Sequence, residues 1–163
     1  MDFRSTEFGN LEKMYGSLDY EGAAVLDIGA EYGTTAGFFL SKGARKVIAS
    51  ERNSLWAAHY RAWSKGDDRL ESEEVFSHRN AERMLKEHKP DIVKVDCEGC
   101  EINLLVVPDS IMEGPRAWIM ETHSPPLFDR FFALFESLGY TVQVVEEWKD
   151  SPNLKVISAV RHV

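Results

Sequence analysis

The chain has 163 residues, 44% of them apolar and 28% charged, with a formal net charge of −8. That length fits a single domain, residues 1–163, and no apolar run is long enough for a transmembrane helix, so no membrane partner is expected. The acidic balance disfavours a nucleic-acid backbone as the main partner, and two cysteines three positions apart exclude a secreted scaffold stapled by disulfides.

The polar, mixed N-terminus MDFRSTEFGNLEKMYG lacks the basic start and apolar centre of a signal peptide, which points to a cytoplasmic protein. Residues 1–20 form an N-terminal segment, a possible lid, ahead of a core at 22–160. Within it, residues 7–20 suit a small helix over a pocket, with Tyr15 or Tyr20 in reach. Residues 23–28 read as a buried strand ending at glycine, and 34–42 as a helix stopped by Gly43. Residues 46–50 are a second strand, Asn53 caps a helix over 54–64, and the polar stretch 65–74 reads as a loop. Residues 75–77 give a brief third strand and 80–88 a helix ended by Pro90. Residues 91–95 are a fourth strand, 101–107 a short helix or turn, and 117–121 a fifth strand. An apolar face from Leu127 to Leu138 marks a long helix, which Ser124-Pro125-Pro126 starts. Residues 141–145 and 154–160 read as a closing antiparallel hairpin around a loop at 150–153. The result is an α/β fold: a mostly parallel seven-stranded sheet, helices on both faces and an antiparallel C-terminal hairpin.

Ligands in such sheets sit beyond the C-terminal ends of the strands. After the first strand, Asp27, Gly29, Ala30, Glu31 and Gly33 form a tight turn into a helix N-terminus that suits a carboxylate. Glu31 stands where a dinucleotide fingerprint needs glycine, and Asp27 suits an ammonium better than a phosphate. Glu51, with Arg52 beside it, lies about 20 residues past the glycine turn, where an acid accepts hydrogen bonds from ribose hydroxyls. Asn80 is placed to read an adenine edge or to cap its helix. After the fourth strand comes DCEGCE. Asp96, Glu98 and Glu101 surround the two thiols and would raise their pKa, against a redox role. No second cysteine pair completes a zinc site, although His78 and His123 offer further ligands, so no metal is expected. The thiols of Cys97 and Cys100 read as small packing groups. After the fifth strand, Glu121 and His123 are candidate proton acceptors facing the same crevice. Trp56, Tyr60 and Trp63 recur at helical spacing, as a core stripe or, if exposed, a partner or dimer face.

VLDIGAEYG, KVIASE, KVDCEGCE and METH together resemble the FkbM family of class I, Rossmann-like S-adenosylmethionine-dependent methyltransferases. The resemblance covers residues 22–160, and the run from Lys94 to Glu101 carries it most specifically. It implies S-adenosylmethionine as cofactor, with Asp27 and Gly29 along its methionine part, Glu51 on the ribose, and Asn80 or its neighbours near adenine. Asp96 would lie by the amino group and the transferred methyl, and Glu98, Glu121 and His123 would bind the acceptor or act as base. The implied activity is O-methylation of a small molecule or glycan by a monomer or homodimer. The alternatives are a non-catalytic cofactor-binding or interaction module, and a protein or nucleic-acid methyltransferase. A DPPY-like loop, usual for amino methylation of nucleic acid, is replaced here by DCEG.

Overall fold

The computed structural model describes residues 5–161. Residues 1–4 of the expected N-terminal lid, and the last two of the expected domain, lie outside the described residues. The elements run α1 (Ser5–Tyr15), β1 (Ala24–Ile28), α2 (Thr34–Ser41), β2 (Lys46–Ser50), α3 (Ser54–Trp63), β3 (Leu70–Ser72) and α4 (Ala81–His88). Then come β4 (Ile92–Val95), a 3-10 helix (Cys100–Val106), α5 (Asp109–Met112), β5 (Ala117–Thr122), α6 (Pro125–Ser137), β6 (Thr141–Trp148) and β7 (Ser151–Val160).

One seven-stranded sheet holds them in the order β3-β2-β1-β4-β5-β7-β6. β7 runs antiparallel to both its neighbours and the remaining pairs are parallel. Every residue of β1, β4 and β5 is buried, as expected of central strands covered on both faces. One core, around Leu26, Val93, Trp118, Phe131 and Phe135, lies on the side of α4 and α6. The other, around Tyr15, Tyr20, Phe38, Phe39 and Tyr60, lies on the side of α1, α2 and α3. Strand order reverses direction between β1 and β4, so their C-terminal ends splay apart into a crevice.

Three local readings are corrected. The third strand is Leu70–Ser72, inside the expected loop, and not 75–77. It is a three-residue edge strand whose pairing with β2 is reinforced by the Lys46–Glu71 ion pair at 2.6 Å, so no apolar pattern announces it. Phe76 is buried for another reason: its ring joins the core and its N–H donates to Ser50 Oγ at 2.9 Å. The hairpin strands are longer than expected and the loop between them shrinks to Lys149-Asp150. Pro152 fits inside β7 because the pairing with β5 ends at Lys155, leaving the proline beyond that ladder. The four-residue helix α5 after Pro108 carried no sequence signal.

A buried ion pair ties the two central strands. Asp27 of β1 and Lys94 of β4 are register partners. Both are almost fully buried, with Lys94 Nζ 3.0 Å from Asp27 Oδ1. Nζ also donates to the Gly29 carbonyl at 2.6 Å, and the Thr35 hydroxyl donates to Asp27 Oδ2 at 2.5 Å. Burial pulls the Lys94 ammonium down, but Asp27 and Asp96 outweigh it and hold it above the ordinary lysine value. Removing one partner strands the other charge, at a cost of about 3–5 kcal/mol. Lys94→Met should therefore shift the urea unfolding midpoint sharply down, and Asp27→Asn with Lys94→Met should recover part of the loss. A wild-type midpoint for the single variant would contradict this role.

Candidate active site

A cavity of about 380 Å³ opens at the crevice between the C-terminal ends of β1 and β4. Its floor is the turn after β1. Gly29 has φ 81°, and a Cβ there would lie 1.7 Å from the Asp96 carbonyl oxygen, so only glycine lets these two strand ends approach. Glu31 and Asp96 line the same space. On the β2 side stand Ser50, Glu51, Arg52, Asn53 and Trp56, and Val75 and Phe76 close the far wall.

Glu51 is held by the backbone. Its Oε2 accepts the Glu31 N–H at 2.9 Å and its Oε1 the Asn53 N–H at 2.6 Å. The first bond links the β1 turn to the β2 end. Asn53 in turn caps α3, its Oδ1 accepting from Leu55 and Trp56 N–H as the sequence predicts. The carboxylate is thus oriented before any ligand arrives, and each oxygen keeps lone pairs for hydroxyl donors.

Of the residues expected to bind a cofactor, Gly29, Glu31, Glu51, Arg52 and Asp96 line the cavity, whereas Asp27, Ala30, Gly33 and Asn80 do not. Asp27 lies beneath it, engaged with Lys94 and Thr35. Ala30 is buried and donates its N–H to the Ser50 carbonyl. Gly33, at φ 108°, begins α2, and a side chain there would strike the rings of Trp63 and Tyr60. Thr34 follows at the helix N-terminus, and its buried Oγ1 makes no hydrogen bond among the described residues. Asn80 is buried and serves its own loop. Its Oδ1 accepts the Ser77 N–H and its Nδ2 donates to the Val75 carbonyl. It thereby shapes the wall that Val75 and Phe76 present.

Beyond β4 and β5 the four expected catalytic candidates come together. The Tyr15 hydroxyl, reaching over from α1, donates to Asp96 Oδ2 at 2.8 Å, while the Tyr20 hydroxyl turns back to the Tyr15 carbonyl. Burial alone would raise the Asp96 carboxyl, but Lys94 and the Tyr15 hydroxyl hold it below the ordinary aspartate value. Glu121 beside it goes the other way: burial, then the Asp96 charge, push it up to about 8. The opposed shifts leave Asp96 ionised and Glu121 protonated at neutral pH. His123 is oriented by the fully buried Glu101. That carboxylate's Oε1 accepts the His123 backbone N–H at 3.0 Å and lies 3.1 Å from Nδ1. The hydrogen bond to Glu101 raises the imidazole above its ordinary value against the effect of burial. Glu98 is the exposed member, its Oε2 3.6 Å from His123 Nε2.

The cysteines are a correction. Cys97 and Cys100 are joined in a disulfide and both line the cavity, so neither is a free packing thiol. The bond closes the loop that carries Glu98 and Gly99, both at positive φ. Lys94 was the other residue whose role was missed. A lysine inside the apolar run DIVKV was the visible signal, since a buried lysine demands a carboxylate. The aromatic stripe of α3 is divided: Tyr60 is buried, while Trp56 is 41% exposed at the cavity rim.

No family model matches the chain. It is 28% identical over 109 residues to Uncharacterized protein 65 of Sulfolobus islandicus filamentous virus, a match that covers 67% of this chain and 65% of the relative. It is 34% identical over 97 residues to Uncharacterized protein 158B of Sulfolobus islandicus rod-shaped virus 1, covering 57% of this chain and 58% of the relative. The chain thus spans a little under two thirds of these curated relatives. Among solved structures it is similar to precorrin-6y C5,15-methyltransferase from Geobacter metallireducens, with TM-score 0.66 and 18% identity, over 99% of this chain and 90% of that one. It is also similar to Aeropyrum pernix fibrillarin with natively bound S-adenosyl-L-methionine, with TM-score 0.65 and 16% identity, over 95% and 74%. The methyltransferase domain of bacterial CtHen1 superposes with TM-score 0.64 at 14% identity, over 94% and 97%. The fold is the Rossmann-like fold of class I methyltransferases. No helix among the described residues is long and apolar enough to cross a membrane.

The opposed carboxyls predict how stability depends on pH. The folded pKa of Glu121 lies above its ordinary 4.5, so its protonated form adds stability that is complete below about 4.5 and lost as pH rises through about 8. His123 is raised as well, and its contribution, complete below 6.5, is also lost as pH rises through its folded value. The melting midpoint should fall from about pH 6 to pH 9, and Glu121→Gln should shallow that fall and be the more stable protein at the alkaline end. Parallel curves for the two proteins would contradict the assignment.

Proposed function

We propose that the chain is an S-adenosylmethionine-dependent methyltransferase of FkbM type that methylates an oxygen of a small molecule or glycan. The observation that carries this reading is Glu51. A carboxylate is fixed by two backbone N–H groups at the rim of a cavity whose floor is a glycine turn. That is how a ribose with two free hydroxyls is held, each hydrogen bond to a charged acceptor contributing about 1.5–3 kcal/mol.

The rest of the cavity suits the remaining parts of the molecule. Val75, Phe76 and Trp56 offer apolar and aromatic surface for the adenine, beyond the ribose carboxylate. Asp96, kept ionised, faces the cationic methionine end, and Gly29 permits close approach of the backbone there. The buried, unpartnered Thr34 hydroxyl at the start of α2 supports a carboxylate near that helix N-terminus. The reaction is an in-line displacement. When bound, S-adenosylmethionine would supply the methyl group, the acceptor oxygen taking it as the carbon–sulfur bond breaks to leave S-adenosylhomocysteine, and the acceptor's O–H proton would pass to a base. The protein's part is to align the acceptor and receive that proton. Glu121 sits beside Asp96 and ionises only as pH rises through about 8, so it would take the acceptor's proton from that ionised form, with His123 and Glu98 placed to bind the acceptor.

Calorimetric titration with S-adenosylmethionine and S-adenosylhomocysteine tests this reading. Both should bind in the micromolar range, and Glu51→Ala should weaken them about tenfold or more, since two lost charged hydrogen bonds exceed 1.4 kcal/mol. Equal affinity in the variant would contradict the ribose assignment, and no binding of either ligand to folded protein would contradict the function.

A further inference from the structure

Three side chains beyond the ends of β4 and β5, of which Asp96 and Glu98 line the cavity, converge in a way that methyl transfer alone does not require. A carboxylate oxygen of Asp96, one of Glu98 and a ring nitrogen of His123 all lie within 4.8 Å of one another. They come from two strand ends, after β4 and after β5, and from the loop closed by the disulfide. Two oxygens and one imidazole nitrogen form a mixed donor set that suits a divalent cation such as Mn²⁺. Metal–ligand bonds of roughly 2.0–2.2 Å place neighbouring donors about 3 Å apart, so a small inward movement of the exposed Glu98 completes the set.

A second observation, outside the three ligands, points the same way. A metal-binding histidine characteristically gives its other ring N–H to a carboxylate, which fixes the tautomer and the ring plane. Glu101 does this for His123. It is fully buried, takes Nδ1 at 3.1 Å and the backbone N–H at 3.0 Å, and leaves Nε2 turned toward Glu98. The Tyr15 hydroxyl performs the matching service for Asp96 by donating to its Oδ2. Sulfur takes no part, because both cysteines are engaged with each other.

We infer that Asp96, Glu98 and His123 form a divalent-cation site, with Glu101 as the residue that positions His123, at the mouth of the cofactor cavity. Three protein ligands leave coordination positions open, and an acceptor bearing an oxygen donor can occupy one. The site thereby favours hydroxyl or carboxylate oxygen compounds over apolar or purely aromatic acceptors. The role in acceptor choice rests on the methyltransferase reading, whereas the cation site itself rests on the geometry alone.

The test is the electron paramagnetic resonance signal of free Mn²⁺, titrated with the chelator-stripped full chain. The wild type should remove close to one equivalent with a micromolar dissociation constant. Glu98→Gln, an exposed change that leaves the core intact, should weaken binding at least tenfold, as should His123→Ala. Glu82→Gln, on the outer face of α4, should bind as the wild type does. Undiminished free Mn²⁺ at millimolar protein, or wild-type affinity in Glu98→Gln, would overturn the cation site. Calorimetry with S-adenosylmethionine on the same preparation separates the two readings. Cofactor binding without Mn²⁺ binding overturns the cation site only, and Mn²⁺ binding without cofactor binding upholds it while overturning the methyltransferase reading.

Discussion

The Asp27–Lys94 ion pair is the constraint on which the site depends. It joins β1 to β4 at the very point where the strand order reverses, one residue before the first strand ends and two residues before Asp96. Lys94 spends its remaining donors on the Ile28 and Gly29 carbonyls, so the same ammonium that binds the strands also pins the glycine turn. Thr35 brings the first turn of α2 to the other carboxylate oxygen. A buried pair of this kind contributes little net stability compared with well-packed apolar residues, and its value lies in geometry. Here it fixes the separation of two strand ends, and with it the floor of the cavity.

Charge then passes outward from that pair. Lys94 helps keep Asp96 ionised, and Asp96 in turn raises Glu121. Adjacent carboxyls are thereby sorted into an anion facing the cavity and a proton carrier beside it. The N-terminal helix belongs to this arrangement, because Tyr15 is packed against Phe39 and lies over Lys94 while its hydroxyl meets Asp96. Among the described residues, α1 covers the central ion pair from the side of α2 and reaches Asp96 through the Tyr15 hydroxyl.

Much of this was legible in the chain. The alternation of apolar strands with glycine-stopped helices set out the parallel sheet, because strands buried on both faces leave continuous runs such as AAVLDI and helices leave a period. The place of Glu51 in the cavity lining was legible because its distance from the glycine turn is set by one helix and one strand. Three kinds of feature were hidden. Leu70–Ser72 is an edge strand held by its pairing and an ion pair, and such strands need no apolar residues. The partners of buried polar groups depend on register, which a sequence does not display. Asp27 meets Lys94, and not a ligand, only because the two strands align at those positions, and Asn80 turns inward only because the loop before it doubles back. The disulfide is a third case, since the spacing permits it and the folded loop brings the sulfurs together.

The central claim is that this crevice holds S-adenosylmethionine with its ribose on Glu51. A crystal structure of the protein grown with S-adenosylhomocysteine tests it most directly. The account predicts both ribose hydroxyls within hydrogen-bond distance of the Glu51 carboxylate, the adenine against Val75 and Phe76, and the amino group facing Asp96. A nucleoside lying outside this cavity, or a Glu51 that touches only its own backbone partners in the complex, would contradict it.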